Sequence, residues 1–309
     1  MQYQFGPTQN TKILEMVICP RVTTFRAAMV TLALLLGNFV SATKHRKWLP
    51  ANTFVNNDDF PMGTLCMLAT LDERVYLFSS SNNDGTLGNH FHKWDPFERK
   101  WTDIFHLSSG SIPSSRSGAG FSGLYHRLYL FGGQSISDGT LSNQMFEWDS
   151  ATFVWSSVPP SSAINHVPEA RCFAGFASSL ERIYLHGGSG LLGLLGDLHE
   201  FDPINYTWTD LSNLPGAPPA RTLHGFAFMS GMLYVFSGWT NSPGSRASAY
   251  NSGNSYVLRD FYRFDTFNRV WKDLSSTGLP DARKSFGFAS VNNILFLCGG
   301  SRGFYTGTL

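Results

Sequence analysis

Arg116-Ser-Gly-Ala-Gly-Phe121, followed ten residues later by Phe131-Gly132-Gly133, is the stretch on which the fold turns. Between them the alternation Leu128-Tyr-Leu-Phe131 reads as a strand, as does Phe261-Tyr-Arg-Phe264 further on. The diglycine ends its strand where the chain turns sharply and another backbone comes close, a place that a Cβ would obstruct. The same spacing returns along the chain. Arg116, Arg171, Arg221 and Arg283 each precede a final glycine (Gly133, Gly188, Gly238, Gly300) by 17 residues and a Gly-Phe pair by four. The strand ends are Gly132-Gly133, Gly187-Gly188, Ser237-Gly238 and Gly299-Gly300. Asp95, Asp149, Asp202 and Asp265 each stand six residues before a tryptophan: Trp101, Trp155, Trp208 and Trp271. Three fixed spacings recurring together define a repeat.

Composition agrees with many short buried strands. Only 15% of the 309 residues are charged, below the ~25% of an average domain, while aromatics reach 15% and there are 30 glycines. A chain that is 42% hydrophobic, with eight tryptophans, can bury a core. The formal net charge of +1 supplies no field for nucleic acid or an anionic membrane surface. No segment after Trp48 sustains a helical period.

The three motifs in order, Arg-x-x-x-Gly-Phe, Tyr-Leu-Phe-Gly-Gly and Asp-x-x-x-x-x-Trp, resemble the kelch repeat over about residues 46–309. The resemblance implies an all-β propeller, like the central domain of galactose oxidase, with one four-stranded blade per copy. Blades are expected near 63–104, 116–158, 171–211 and 221–274, with a partial fifth at 283–309. Such a count suits an incomplete six- or seven-bladed ring. The first copy departs from the pattern, with Ser79-Ser80 for the diglycine and Gly63 in the arginine's place. Each repeated tryptophan is expected to bury ~150–250 Å² between neighbouring blades. Trp48, 53 residues before Trp101, marks residues 46–49 as an outer strand able to close the last blade.

The amino terminus reads differently. Arg21 and Arg26 precede an apolar run from Ala27 to Leu36, and Val40-Ser41-Ala42 supplies a small-residue cleavage site. Residues 1–42 are therefore expected to be a secretory signal region, with 1–15 an over-extended start, leaving a propeller over 43–309. The uncharged stretch is short for a membrane span, and none is expected after removal. Asn205-Tyr-Thr is the one glycosylation acceptor sequence. After cleavage Cys66, Cys172 and Cys298 remain, which reads as buried small residues and not as a disulfide framework.

Loops carry function on such a scaffold. From the second glycine position to the aspartate the interval is 15, 16 and 14 residues in the first three copies but 27 in the fourth. Trp239, Arg246, Tyr250 and Tyr256 in that insertion have the character of contact residues. Arg116, Arg171, Arg221 and Arg283 are candidate rim contacts, since by resemblance some relatives bind acidic peptides with arginines here. They also belong to the repeat signature, and at least two are read as hydrogen bonding to local carbonyls. Leu191 to Leu195 read as packing on the adjacent blade, with an exposed patch as the alternative. Gly188-Ser-Gly-Leu-Leu-Gly193 has the glycines of a dinucleotide loop but no room for the helix that must follow. His90 and His92 read as ordinary strand residues, and His186 and His224 as interior groups. No catalytic residue, metal site or cofactor is assigned, because no motif for one is present.

The expected function is a secreted propeller binding an unidentified protein or peptide through one loop face, with a glycan as a further candidate and no nucleic acid. The alternative is a sugar-acting propeller enzyme resembling galactose oxidase or a sialic acid epimerase.

Overall fold

The computed structural model describes residues 2–4, 15–19, 66–81, 87–98, 100–159, 167–242, 247–248, 256–291 and 293–301. Apart from a single 3-10 turn at Phe105–Leu107, the regular structure among them is all strand. Four complete antiparallel meanders follow one another. The first runs through Met67–Leu71, Arg74–Ser81, Leu87–Asp95 and Lys100–Asp103, and the second through Gly120–Leu124, Arg127–Phe131, Met145–Asp149 and Val154–Val158. The third comprises Gly175–Ser178, Ile183–Gly190, Gly193–Asp202 and Thr207–Asp210, and the fourth Gly225–Met229, Met232–Phe236, Phe261–Asp265 and Val270–Asp273. Gly287–Val291 and Ile294–Cys298 form the inner two strands of a fifth. Each inner strand lies against that of the next meander in chain order, which is the blade arrangement of a β-propeller.

The repeated residues explain how the blades fit. The glycine of each Gly-Phe pair is the seat for the next blade's phenylalanine: a Cβ at Gly120 would stand 2.5 Å from Phe176, and one at Gly175 2.5 Å from Phe226. Every repeated tryptophan after the first packs on the second strand of the preceding blade. Trp155 meets Phe78 (ring centroids 5.8 Å apart), Trp208 meets Phe131 (5.2 Å) and Trp271 meets His186 (5.8 Å). The aspartates make the turn into the outer strand. Asp95, Asp149, Asp202 and Asp265 each accept backbone N–H bonds from the second and third residues after them. That capping explains the fixed interval to tryptophan.

Gly132 and Gly133 take φ of +70° and +90°, where a side chain would be strained, and the Gly133 N–H donates to the Arg171 carbonyl of the next blade at 2.8 Å. Ser237 holds the same turn at φ +54° in the fourth copy. Its hydroxyl lies 2.6 Å from the Leu258 carbonyl and accepts from the Arg283 N–H, so the departure from diglycine ties the fourth blade to the fifth.

Beside Ile294–Cys298, the third position of the fifth blade is taken by Glu15–Cys19, running parallel, with Gln2–Gln4 antiparallel outside it. The sequence suggested residues 46–49 for a closing strand. They lie outside the described residues, as do Trp48 and most of the signal region. Cys172 and Cys298 are buried and Cys66 half-buried, none of the three in a disulfide, and burial pushes the Cys172 thiol up to about 11. Among the described residues no helix is long and apolar enough to cross a membrane.

Candidate functional site

In a four-stranded meander the loops after the second strand, and the connections between blades, emerge at one end. The repeated arginines enter there. Each places Nη1 on the carbonyl of the first residue of its own glycine turn: Arg116 on Gly132, Arg171 on Gly187, Arg221 on Ser237 and Arg283 on Gly299, at 2.8–3.0 Å. Each donates Nε to the carbonyl two residues upstream. The arginine thus pins the entry of a blade to the end of its second strand, which is why the 17-residue spacing is invariant.

Two of the four hold a carboxylate of their own blade as well. Arg171 forks onto Asp197, and Arg221 onto Asp260, each with both carboxylate oxygens at 2.6–2.7 Å. Arg221 and Asp260 are 0% and 1% exposed, a fully buried pair. Asp197 also bonds His199 Nε2 at 2.7 Å. Although burial pushes the Asp197 carboxyl up, the hydrogen bonds from His199 and Arg171 and the Arg171 charge hold it well below the usual carboxylate range.

The register shows what the second blade lacks. The residue before the third-strand partner of the second strand's last aromatic is Asp197 in the third blade (partners His186 and Leu198) and Asp260 in the fourth (Phe236 and Phe261). In the second blade, where Phe131 pairs with Met145, it is Gln144, whose side chain is exposed. Arg116 is nevertheless only 3% exposed. It reaches Ser114 Oγ with Nη2 and lies 5.1 Å from the Phe146 ring centre, and among the described residues no carboxylate pairs with it. Burial holds its guanidinium below the ordinary arginine value. In the first blade the same position is His90, and Gly63 stands for the arginine, so both halves of the pair are gone together.

The other sequence candidates fall in several places. Trp239 and Tyr256 are half-buried, their strands paired at the root of the fourth-blade insertion. Arg246 and Tyr250 lie outside the described residues. Leu191 and Leu192 do not pack on the adjacent blade; they are 81% and 96% exposed at a hairpin tip, because Gly190 pairs with Gly193 and the tip projects beyond the blade. Leu194 and Leu195 behind them are half-buried. The glycines there belong to this hairpin, and no helix follows them. His90 and His92 lie on one strand with ring centres 6.0 Å apart. Among the described residues no three His, Cys, Asp or Glu side chains are grouped to share a metal ion. Asn205 is exposed in its turn, with Nδ2 on Asp202.

Asp197 and Asp260 were not singled out from sequence, because they lie 26 and 39 residues after their arginines. Counted from the other side they are regular. Each stands five residues before the turn aspartate, Asp202 or Asp265, as Gln144 stands five before Asp149.

A family model described as the KLHDC2/KLHL20/DRC7 Kelch-repeats domain matches residues 64–300. The chain is 29% identical to the N-(sulfonatooxy)prop-2-enimidothioate sulfolyase of Thlaspi arvense, the match covering 62% of this chain and 72% of that protein. It is 23% identical to the Kelch domain-containing protein 3 of Bos taurus, over 75% of this chain and 59% of the relative, and 20% identical to the host cell factor of Drosophila melanogaster, over 75% and 17%. It therefore spans little more than half of one of these relatives and a small part of another. With the arginine, glycine and tryptophan spacings each serving a blade contact, and the family model spanning all four complete blades, the chain belongs to the kelch-repeat family.

Proposed function

We propose that this chain is a secreted interaction module that takes an acidic group of a protein or peptide at Arg116. The observation that carries it is the missing acid. Two neighbouring blades neutralise the same arginine with their own carboxylate, and the second blade leaves that place to the exposed Gln144. Asp197, in the corresponding place, keeps 23% of its side chain exposed, so the position is within reach of solvent. A carboxylate arriving there would meet a planar fork already fixed by the Gly132 and Ser114 carbonyls, which favours bidentate recognition. Leu191 and Leu192 project from the same end of the adjacent blade and offer an apolar contact beside it.

The test is a peptide array containing Asp and Glu, set against the same peptides with Asn and Gln. Gln144→Asp copies a pair that two blades already hold, so the fold is kept while the site is filled from within. Acid-dependent binding to the parent should weaken at least ~10-fold, about 1.4 kcal/mol, in both Gln144→Asp and Arg116→Gln. Peptides selected without regard to acidity, or unchanged by Gln144→Asp, would move the site elsewhere, with the fourth-blade insertion next.

The secretion in this reading is supported by the apolar run and cleavage pattern ending at Ala42. Amino-terminal sequencing of secreted protein should begin at Thr43, which would also strip Glu15–Cys19 from the fifth blade. Recovery of residues 15–19 on the mature protein would reject it.

The likeness to the sulfolyase supports a second reading, a lyase whose sulfated substrate places its anion on Arg116. Sulfate release from N-(sulfonatooxy)prop-2-enimidothioate by the parent, lost in Arg116→Gln, would select that reading over the first. The sugar-acting alternative rests on fold analogy alone.

A further inference from the structure

We propose that the seam between the third and fourth blades is an acid-sensitive release point, held closed by the neutral His186–His224 pair and opened when those rings take up protons. The fold contains the same seam in an inert version. His186 is the last aromatic of the third blade's second strand and pairs with Gly175, as Phe236 pairs with Gly225 one blade on. His224 precedes Gly225 as Phe286 precedes Gly287. Between the fourth and fifth blades the pair is Phe236–Phe286, edge to face at 5.9 Å; between the third and fourth it is His186–His224, edge to face at 5.0 Å. One seam is hydrocarbon and the other is titratable.

The titratable pair is poorly provided for charge. His186 Nδ1 and His224 Nε2 are 3.1 Å apart and share one hydrogen bond. His186 Nε2 and His224 Nδ1 are shut away from solvent without a partner among the described residues. Two neutral rings bring two N–H groups and one internal acceptor, so one N–H is already unmatched in either tautomer. A proton on either ring adds another. The walls are the Phe226 and Trp271 rings. The charged or titratable groups facing His186 are Arg221, Arg171, Asp197 and His199, and those facing His224 are Arg221 and His186. Asp197 favours protonation, but Arg171 and His199 hold it, while Arg221 opposes protonation of both rings. Burial dominates. It brings His186 down to about 3 and His224 well below the ordinary histidine value.

The sign follows from proton linkage. The folded pair is neutral while the unfolded chain takes up protons near pH 6.5, so stability is complete above that value and falls as the pH drops toward 3. Below pH 6.5 each histidine multiplies the unfolded-to-folded ratio about tenfold per pH unit. From pH 7.5 to 5.0 the two together give about a thousandfold.

The experiment compares denaturant unfolding of the parent and of His186→Phe/His224→Phe across pH 5.0–7.5. The substitution copies the Phe236–Phe286 seam, so a folded variant is expected. The parent should lose about a thousandfold more of its folding equilibrium than the variant between pH 7.5 and 5.0. Parallel pH curves would overturn the proposal. Should the variant fail to fold, ring titration of the parent by nitrogen-detected NMR decides: both imidazoles should stay neutral in the folded chain at pH 5, and a midpoint near 6.5 for either would overturn it. Hydrogen exchange, corrected for intrinsic rate, should quicken first at 175–178 and 225–229 as the pH falls; uniform quickening across all seams would also overturn it.

Discussion

Asp260→Ala is expected to destabilise the fold by about 3–5 kcal/mol, the range for removing one partner of a buried ion pair. Arg221 is 0% exposed and would keep the Ser237 and Pro219 carbonyls and the Tyr262 ring, 5.6 Å from its guanidinium, but no anion among the described residues. At roughly 2–4 °C per kcal/mol for a chain of this size, the melting midpoint should fall by about 6–20 °C. Asp197→Ala is the internal comparison. Asp197 is 23% exposed, so solvent can reach the place it leaves and the loss should be smaller. Equal losses at the two sites would mean that burial does not set the strength of the pair. A loss below about 1 kcal/mol at Asp260, the range of an exposed pair, would mean that Arg221 is hydrated in solution.

Trp155→Ala should cost a similar amount, about 3–5 kcal/mol, for a different reason. Its ring fills the space between the first two blades, meeting Phe78 at 5.8 Å and Phe91 at 5.4 Å, so truncation leaves a cavity that two sheets cannot easily close. The indole N–H is buried and has no hydrogen-bond partner among the described residues. Trp155→Phe should therefore lose volume and nothing polar, and cost clearly less than Trp155→Ala. Chemical denaturation of both variants checks this. Equal losses would show that the N–H matters, and no loss in either would place the ring outside the seam.

The repeat was legible because its residues do the same work in every copy. A glycine turn, an arginine pin, an aspartate cap and a tryptophan seat each need one residue type at one distance, so they survive as fixed intervals. Structural duty for the arginines could be anticipated on the same ground. The acids could not be found by counting from the arginine, because the variable loop lies between Arg221 and Asp260 and lengthens the interval. Nor could the contrast that singles out Arg116, since the absence of a partner shows only once the strands are in register. His186 and His224 were readable as interior groups, but 38 residues separate them and only blade packing brings the rings together. The Leu191–Leu192 tip misled for a related reason: apolar residues usually mean packing, and the glycines on either side let the chain turn back before reaching the neighbour.

The stitch from a glycine N–H to the following arginine carbonyl also bears on ancestry. Gly133 to Arg171, Gly188 to Arg221 and Gly238 to Arg283 are the same bond made three times, always between consecutive copies. The arginine–acid fork lies within a single copy. A duplication or loss of one whole copy therefore leaves every donor with an acceptor of the same kind, and every tryptophan with a seat. Copy number in such a lineage is free to change by unequal crossing-over, whereas a shift of even one residue between arginine and glycine is not. Individual copies can then diverge at positions that serve no stitch. Gln144, where neighbouring copies keep an acid, is one such position, and a new specificity can arise there without a new fold.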